Sequence, residues 1–74
     1  MASADRLRLA AFELKEAADR RRYDNPEKQA IQQAAELCEK AADAASTGDS
    51  TQADSLKRQA DALLRGPGNY EPPC

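Results

Sequence analysis

The side chains of this sequence give little support to acid–base or nucleophilic catalysis, although carboxylates are plentiful. The chain has no histidine, the residue that most often acts as a general base near neutral pH. Glu36, Glu39 and Asp43 recur at helical spacing along one polar face. Carboxylates on such a face are solvated, and nothing beside them in the sequence prepares them for paired acid–base work. We therefore expect no catalytic residue.

The two cysteines do not make up a metal site or a disulfide framework. Cys38 lies among alanines at helical spacing, which predicts a small buried side chain. Cys74 is the last residue, so its thiol is expected to be exposed and open to intermolecular oxidation. Two thiols without an imidazole do not complete a zinc ligand set. We predict a protein that is not an enzyme and has neither a cofactor nor a bound metal.

Arg20, Arg21 and Arg22 form the strongest charge cluster. Consecutive arginines can bind phosphate groups or an acidic protein, and cations also stabilise the C-terminal end of a helix. Residues 1–23 carry a net charge of +2 and residues 24–49 a net charge of −4, while the whole chain carries −2. Nucleic-acid-binding domains are usually basic, so this balance favours contact with an acidic protein face. A small nucleic-acid-binding accessory protein that uses this cluster is the alternative.

A second apolar face is predicted on the first helix. Leu9, Phe12 and Tyr23 project roughly 140–200° away from the main alanine- and leucine-rich face, at about 100° per residue. Either the third helix or the tail covers this second face within one monomer, or another chain covers it. The interruption of the Phe12 side by Glu16 favours a patch that binds another chain. The predicted partner-binding residues are Leu9, Phe12, Glu16, Tyr23, Arg20, Arg21 and Arg22.

Three helices must position these residues. The apolar spacing predicts helices over about 4–22, 26–46 and 51–65, with residues 1–65 as a single helical domain. The sequence Asn25-Pro26 is typical of a helix start, and Gly48 of a helix end. Short connections predict antiparallel neighbours. Residues 66–74 form a Pro/Gly tail that we expect to be extended and without fixed contacts.

Composition narrows the class of protein further. Sixteen alanines and seven leucines supply most of the apolar side chains, which favours closely packed helices with a thin stability margin. No apolar run approaches the length of a membrane span, and no signal peptide is recognisable, so we expect a cytoplasmic protein. The prediction is an all-α fold, an antiparallel helical hairpin with a shorter third helix (a three-helix bundle) and an extended C-terminal tail. Its predicted function is non-enzymatic protein binding, as a small regulator, adaptor or inhibitor that forms a homodimer.

Overall fold

Three α-helices form the protein in the computed structural model, which describes residues 3–73. Their bounds are Ala4–Asp19 (α1), Pro26–Ser46 (α2) and Ser50–Arg65 (α3). The residue before each helix caps it with a side-chain oxygen. Ser3 Oγ accepts a hydrogen bond from the backbone N–H three residues later, at 3.3 Å. The Oδ1 atoms of Asn25 and Asp49 accept equivalent bonds at 2.9 and 3.1 Å. Local sequence thus explains where each helix begins.

The end of α1 differs from its predicted position. The helix stops at Asp19, whereas the sequence pattern predicted helix to Arg22. The Arg21 N–H donates at 3.1 Å to the Ala18 carbonyl, three residues back, which closes a tighter turn than the α-helical bond to the fourth residue back. The next residues turn towards α2. Arginine has good helix propensity, so propensity alone would continue the helix. The turn is instead stabilised by contacts that the Arg21 side chain makes with residues beyond it.

α2 is the central helix and packs against both of the others. Its ion pairs with α1 run in opposite residue order, because Arg8 pairs with Asp43 while Lys15 pairs with Glu39. The two helices are therefore antiparallel. No Cα atom of α1 lies within 8 Å of a Cα atom of α3. The predicted all-α bundle is confirmed, with α1 and α3 on separate sides of α2.

Small side chains make up most of the core. The largest fully buried side chains are Leu7, Leu14, Ile31, Cys38 and Leu64. Alanines fill the remaining space, and those of α2 cover an arc of about 140° with Ile31 and Cys38, wide enough for two neighbouring helices. Eleven of the sixteen buried apolar residues in the described part of the chain are alanine, so little apolar surface is buried for each residue.

The tail is attached to the core, in contrast with the contact-free end expected from the sequence. The N–H groups of Gly68 and Tyr70 donate to the carbonyls of Leu63 and Leu64, both at 2.9 Å. Gly68 is buried, and a Cβ at this position would lie 3.0 Å from the Leu63 carbonyl oxygen. The Tyr70 ring packs against the core. The tail is non-helical as predicted; Cys74 lies outside the described residues.

Candidate partner-binding surface

The outer face of α1 carries four residues spaced alternately by four and three positions: Asp5, Leu9, Phe12 and Glu16. This spacing aligns side chains in one stripe along a helix, as in coiled coils. The buried residues of the same helix, Leu7 and Leu14 among them, point in the opposite direction towards α2. α1 thus has one side in the core and a second, partly apolar side directed outwards.

The apolar side chains of this face are exposed to solvent. Leu9 is 67% exposed and Phe12 is 60% exposed, and both rank among the exposed large hydrophobic residues of the described chain. α3 does not cover them, because none of its Cα atoms lies within 8 Å of a Cα atom of α1. The sequence left open whether the third helix or the tail covers Phe12 within one monomer, or whether another chain covers it. In the described monomer neither α3 nor the tail covers Phe12.

Two ion pairs between α1 and α2 border Phe12. Phe12 lines a shallow groove together with Arg8, Lys15, Glu39 and Asp43. Arg8 Nη2 is 3.4 Å from Asp43 Oδ1, and Lys15 Nζ is paired with Glu39 Oε1. The side chains of these four residues are each about half exposed or more, so the pairs contribute little to stability by themselves. They do fill the flank of the face with charges that are already neutralised.

The tail borders the other flank. Pro73 lies in a shallow groove with Arg6, Leu9, Ala10 and Glu13. Leu9 keeps most of its surface exposed despite this neighbour. The outer face is therefore a ridge one helix wide, with α2 on one side and residues of the tail on the other.

The three arginines that follow α1 have different surroundings. Arg20 Nη2 reaches back 3.3 Å to Glu16 Oε2, and its side chain is 77% exposed. Arg22 is exposed and has no hydrogen-bond or ion-pair partner among residues 3–73. Arg21 points inwards with only 27% of its side chain exposed. The cluster that the sequence presents as continuous is divided into two exposed guanidinium groups and one that serves the fold.

Arg21 joins three parts of the molecule. Its Nε and Nη2 atoms lie 3.0 and 2.9 Å from Glu27 Oε1, in the first turn of α2. Its Nη1 donates to the Ala17 carbonyl of α1 at 2.8 Å. The guanidinium carbon lies 5.9 Å from the centre of the Tyr70 ring, within the range of a cation–π contact. Sequence reasoning missed this junction, since no spacing pattern links Arg21 to a tyrosine 49 positions later.

Tyr23 lies in the turn between α1 and α2 and is 76% exposed. It follows the end of the helix, so its side chain is not part of the regular stripe formed by Asp5, Leu9, Phe12 and Glu16. The structure places Tyr23 beyond the Arg20 end of that stripe. The predicted set of residues is thus exposed apart from Arg21 and the partly exposed Glu16.

Between residues 3 and 73 no group of three or more His, Cys, Asp or Glu side chains is arranged to hold a metal ion. Over the same residues, none of the helices combines the length and the apolar character needed to cross a membrane.

No protein-family model matches the chain, and no curated protein or solved structure matches it either.

Proposed function

We propose that this protein is a non-enzymatic protein-binding module that forms a homodimer through the outer face of α1. The observation that carries the proposal is the exposure of Leu9 and Phe12 on a helix whose opposite side is already buried. An exposed aromatic residue with a neighbouring aliphatic one is a common centre of binding energy in protein interfaces. The role of a small cytoplasmic regulator, adaptor or inhibitor belongs to the same proposal.

The thin core of the monomer supports self-association. A domain of this size buries only about 60% of the surface of its unfolded chain, and here most of the buried side chains are alanines. Large apolar side chains are few, yet two of them lie on one exposed helix face. Covering that face with a second copy would add apolar burial that the monomer lacks and would stabilise the folded chain by mass action.

The internal role of Arg21 weakens the nucleic-acid alternative. Phosphate binding at this end of α1 relies on several guanidinium groups that are free to turn outwards. Arg21 is held by Glu27 and Tyr70, and Arg20 shares its charge with Glu16. Two exposed arginines, one of them paired, form a weak electrostatic site on a chain with a net charge of −2.

Sedimentation analysis of the full chain tests the proposal. We expect the mass-average molecular weight to rise from that of a monomer towards that of a dimer between about 1 μM and about 1 mM, the range in which a small interface associates. A protein that remains monomeric at the highest concentration refutes the homodimer. Titration of labelled duplex DNA and of single-stranded RNA at low salt runs beside it, and we expect no binding to either.

A further inference from the structure

The charges along the outer face of α1 are arranged asymmetrically from one end to the other. Asp5 lies near the helix start, Leu9 and Phe12 follow, and the Glu16–Arg20 ion pair lies near the helix end. Because the two ends differ, the face fits a second copy of itself better in one orientation than in the other. This inference rests on the proposed homodimer and adds its geometry.

A parallel arrangement brings like charges together. Asp5 would lie opposite the partner's Asp5, and Glu16 opposite the partner's Glu16. Like charges placed directly opposite each other destabilise an interface. In this arrangement Leu9 would pack against the partner's Leu9, and Phe12 against the partner's Phe12. These apolar contacts would not relieve the repulsion between the acidic residues.

An antiparallel arrangement around a two-fold axis places an arginine beside each pair of acidic residues, which offsets their repulsion. When Leu9 lies level with the partner's Phe12, the symmetry places Phe12 level with the partner's Leu9 and Asp5 level with the partner's Glu16. Arg20 is four residues beyond Glu16, about 6 Å along the helix axis, but its guanidinium reaches back to within 3.3 Å of the Glu16 carboxylate. Asp5 therefore faces a guanidinium group as well as a carboxylate.

The Arg20 guanidinium has donors to spare for a second carboxylate. A guanidinium carries five N–H groups, and within residues 3–73 the Arg20 side chain makes one hydrogen bond, to Glu16. Its side chain is 77% exposed, and Asp5 is exposed as well. Each end of the antiparallel pair then holds one arginine between two carboxylates, with the apolar residues in the middle.

We propose that α1 packs against α1 of a second copy in antiparallel orientation, with Leu9 against the partner's Phe12 and Asp5 beside the partner's Arg20. The spacing of four and three residues lets the side chains of two such helices interdigitate. The neutralised ion pairs of Arg8 and Lys15 with α2 remain at the edge of this interface.

Charge reversal of single residues in the full chain tests the contact between Asp5 and the partner's Arg20. Arg20→Asp is expected to raise the dimer Kd about tenfold at low salt, because it replaces the one cation at each end of the dimer by a third carboxylate. Adding Asp5→Arg to this variant is expected to return the Kd to within about threefold of the wild-type value, since each end again holds one arginine between two carboxylates. Lys40→Asp makes the same change of charge as Arg20→Asp on the exposed side of α2 and should leave the Kd unchanged.

Disulfide trapping tests the orientation by an independent route. Asp5→Cys and Glu16→Cys are made in a Cys74→Ser background and mixed, with a size tag on one chain. The antiparallel pair predicts disulfides in the mixture and few in either variant alone, because a disulfide needs Cβ atoms about 4 Å apart. Circular dichroism of each variant confirms that it folds, and Glu36→Cys mixed with Asp5→Cys is the off-face control.

The outcomes separate this inference from the proposed function. Rapid disulfide formation by Asp5→Cys alone would show the parallel orientation and overturn the inference. Sedimentation could instead show a dimer that forms no disulfide through Asp5→Cys or Glu16→Cys, mixed or alone, and that no charge reversal weakens. This result would place the interface elsewhere and overturn the inference, while the homodimer would stand. A wild-type chain that is monomeric at every concentration would refute both.

Discussion

Replacing Phe12 by alanine should weaken self-association far more than it affects the monomer. The ring is 60% exposed, so a partner has about that fraction of its surface left to cover. Complete burial of a phenylalanine side chain contributes roughly 1.5–3 kcal/mol, and the exposed fraction therefore contributes about 1–2 kcal/mol. A symmetric dimer contains the residue twice, so the free energy of dimerisation should change by about 2–4 kcal/mol.

This free energy corresponds to an increase in the dimer Kd of about 30-fold to 800-fold. The monomer should change little, because the ring only borders the groove between α1 and α2, with Arg8, Lys15 and their partners beside it. Alanine also has a higher helix propensity than phenylalanine, by up to about 0.7 kcal/mol, which offsets part of the lost contact. The thermal unfolding midpoint of the dilute protein should therefore move by only a few degrees.

Sedimentation equilibrium measures the Kd of each variant, and circular dichroism at concentrations below the Kd measures the stability of the monomer. Phe12→Leu is the matched variant, since it keeps an apolar side chain and should retain most of the affinity. Glu36→Ala, on the exposed side of α2, should behave as the wild type does. The reasoning fails if Phe12→Ala dimerises with an unchanged Kd, or if it lowers the melting temperature of the dilute monomer strongly, which would show that the ring serves the fold.

Three further predictions concern the fold. Arg21→Ala should lower stability by about 1–2 kcal/mol, because it removes a half-buried ion pair and the cation–π contact, and Tyr70 fluorescence and limited proteolysis should show that the tail is released. Gly68→Asn should destabilise strongly, since its Cβ would meet backbone atoms at 3.0–3.3 Å. Gly48→Asn should destabilise less, because no atom lies within 4 Å of its Cβ position and asparagine tolerates the strain of a φ of +85° better than most side chains. Thermal melts of the two variants should therefore differ clearly. Asn25→Ala should cost about 1 kcal/mol by removing the α2 cap, which urea unfolding would measure.

Local interactions explain why the helices could be predicted from the sequence. The start of α2 depends on Asn25 and Pro26, which are adjacent to the helix they begin, and its end depends on Gly48, which adopts a positive φ. Apolar spacing likewise indicates which side of each helix is buried. The exact end of α1 was less predictable, because Arg21 leaves the helix to bind Glu27 and Tyr70, and both partners lie outside the local sequence.

The candidate partner-binding surface could be predicted only in part. The periodicity of α1 identifies Leu9 and Phe12 as residues that point away from the main apolar face, whatever the helices do next. Whether anything covers them depends on where α3 packs. The sequence alone left α3 and the tail as candidates, because the apolar stripes of three helices are compatible with more than one arrangement.

Tertiary packing decided that question through α2. Its wide arc of small side chains accepts α1 on one side and α3 on the other, so the outer face of α1 stays open. The tail turns back through hydrogen bonds to the nearby carbonyls of Leu63 and Leu64, but it is the packing of the helices that places the Tyr70 ring near Arg21. Helix bounds and helix faces follow from residues a few positions apart, and sequence spacing records them directly. Contacts between α1 and the tail depend on how whole helices stack, and no local pattern encodes that geometry.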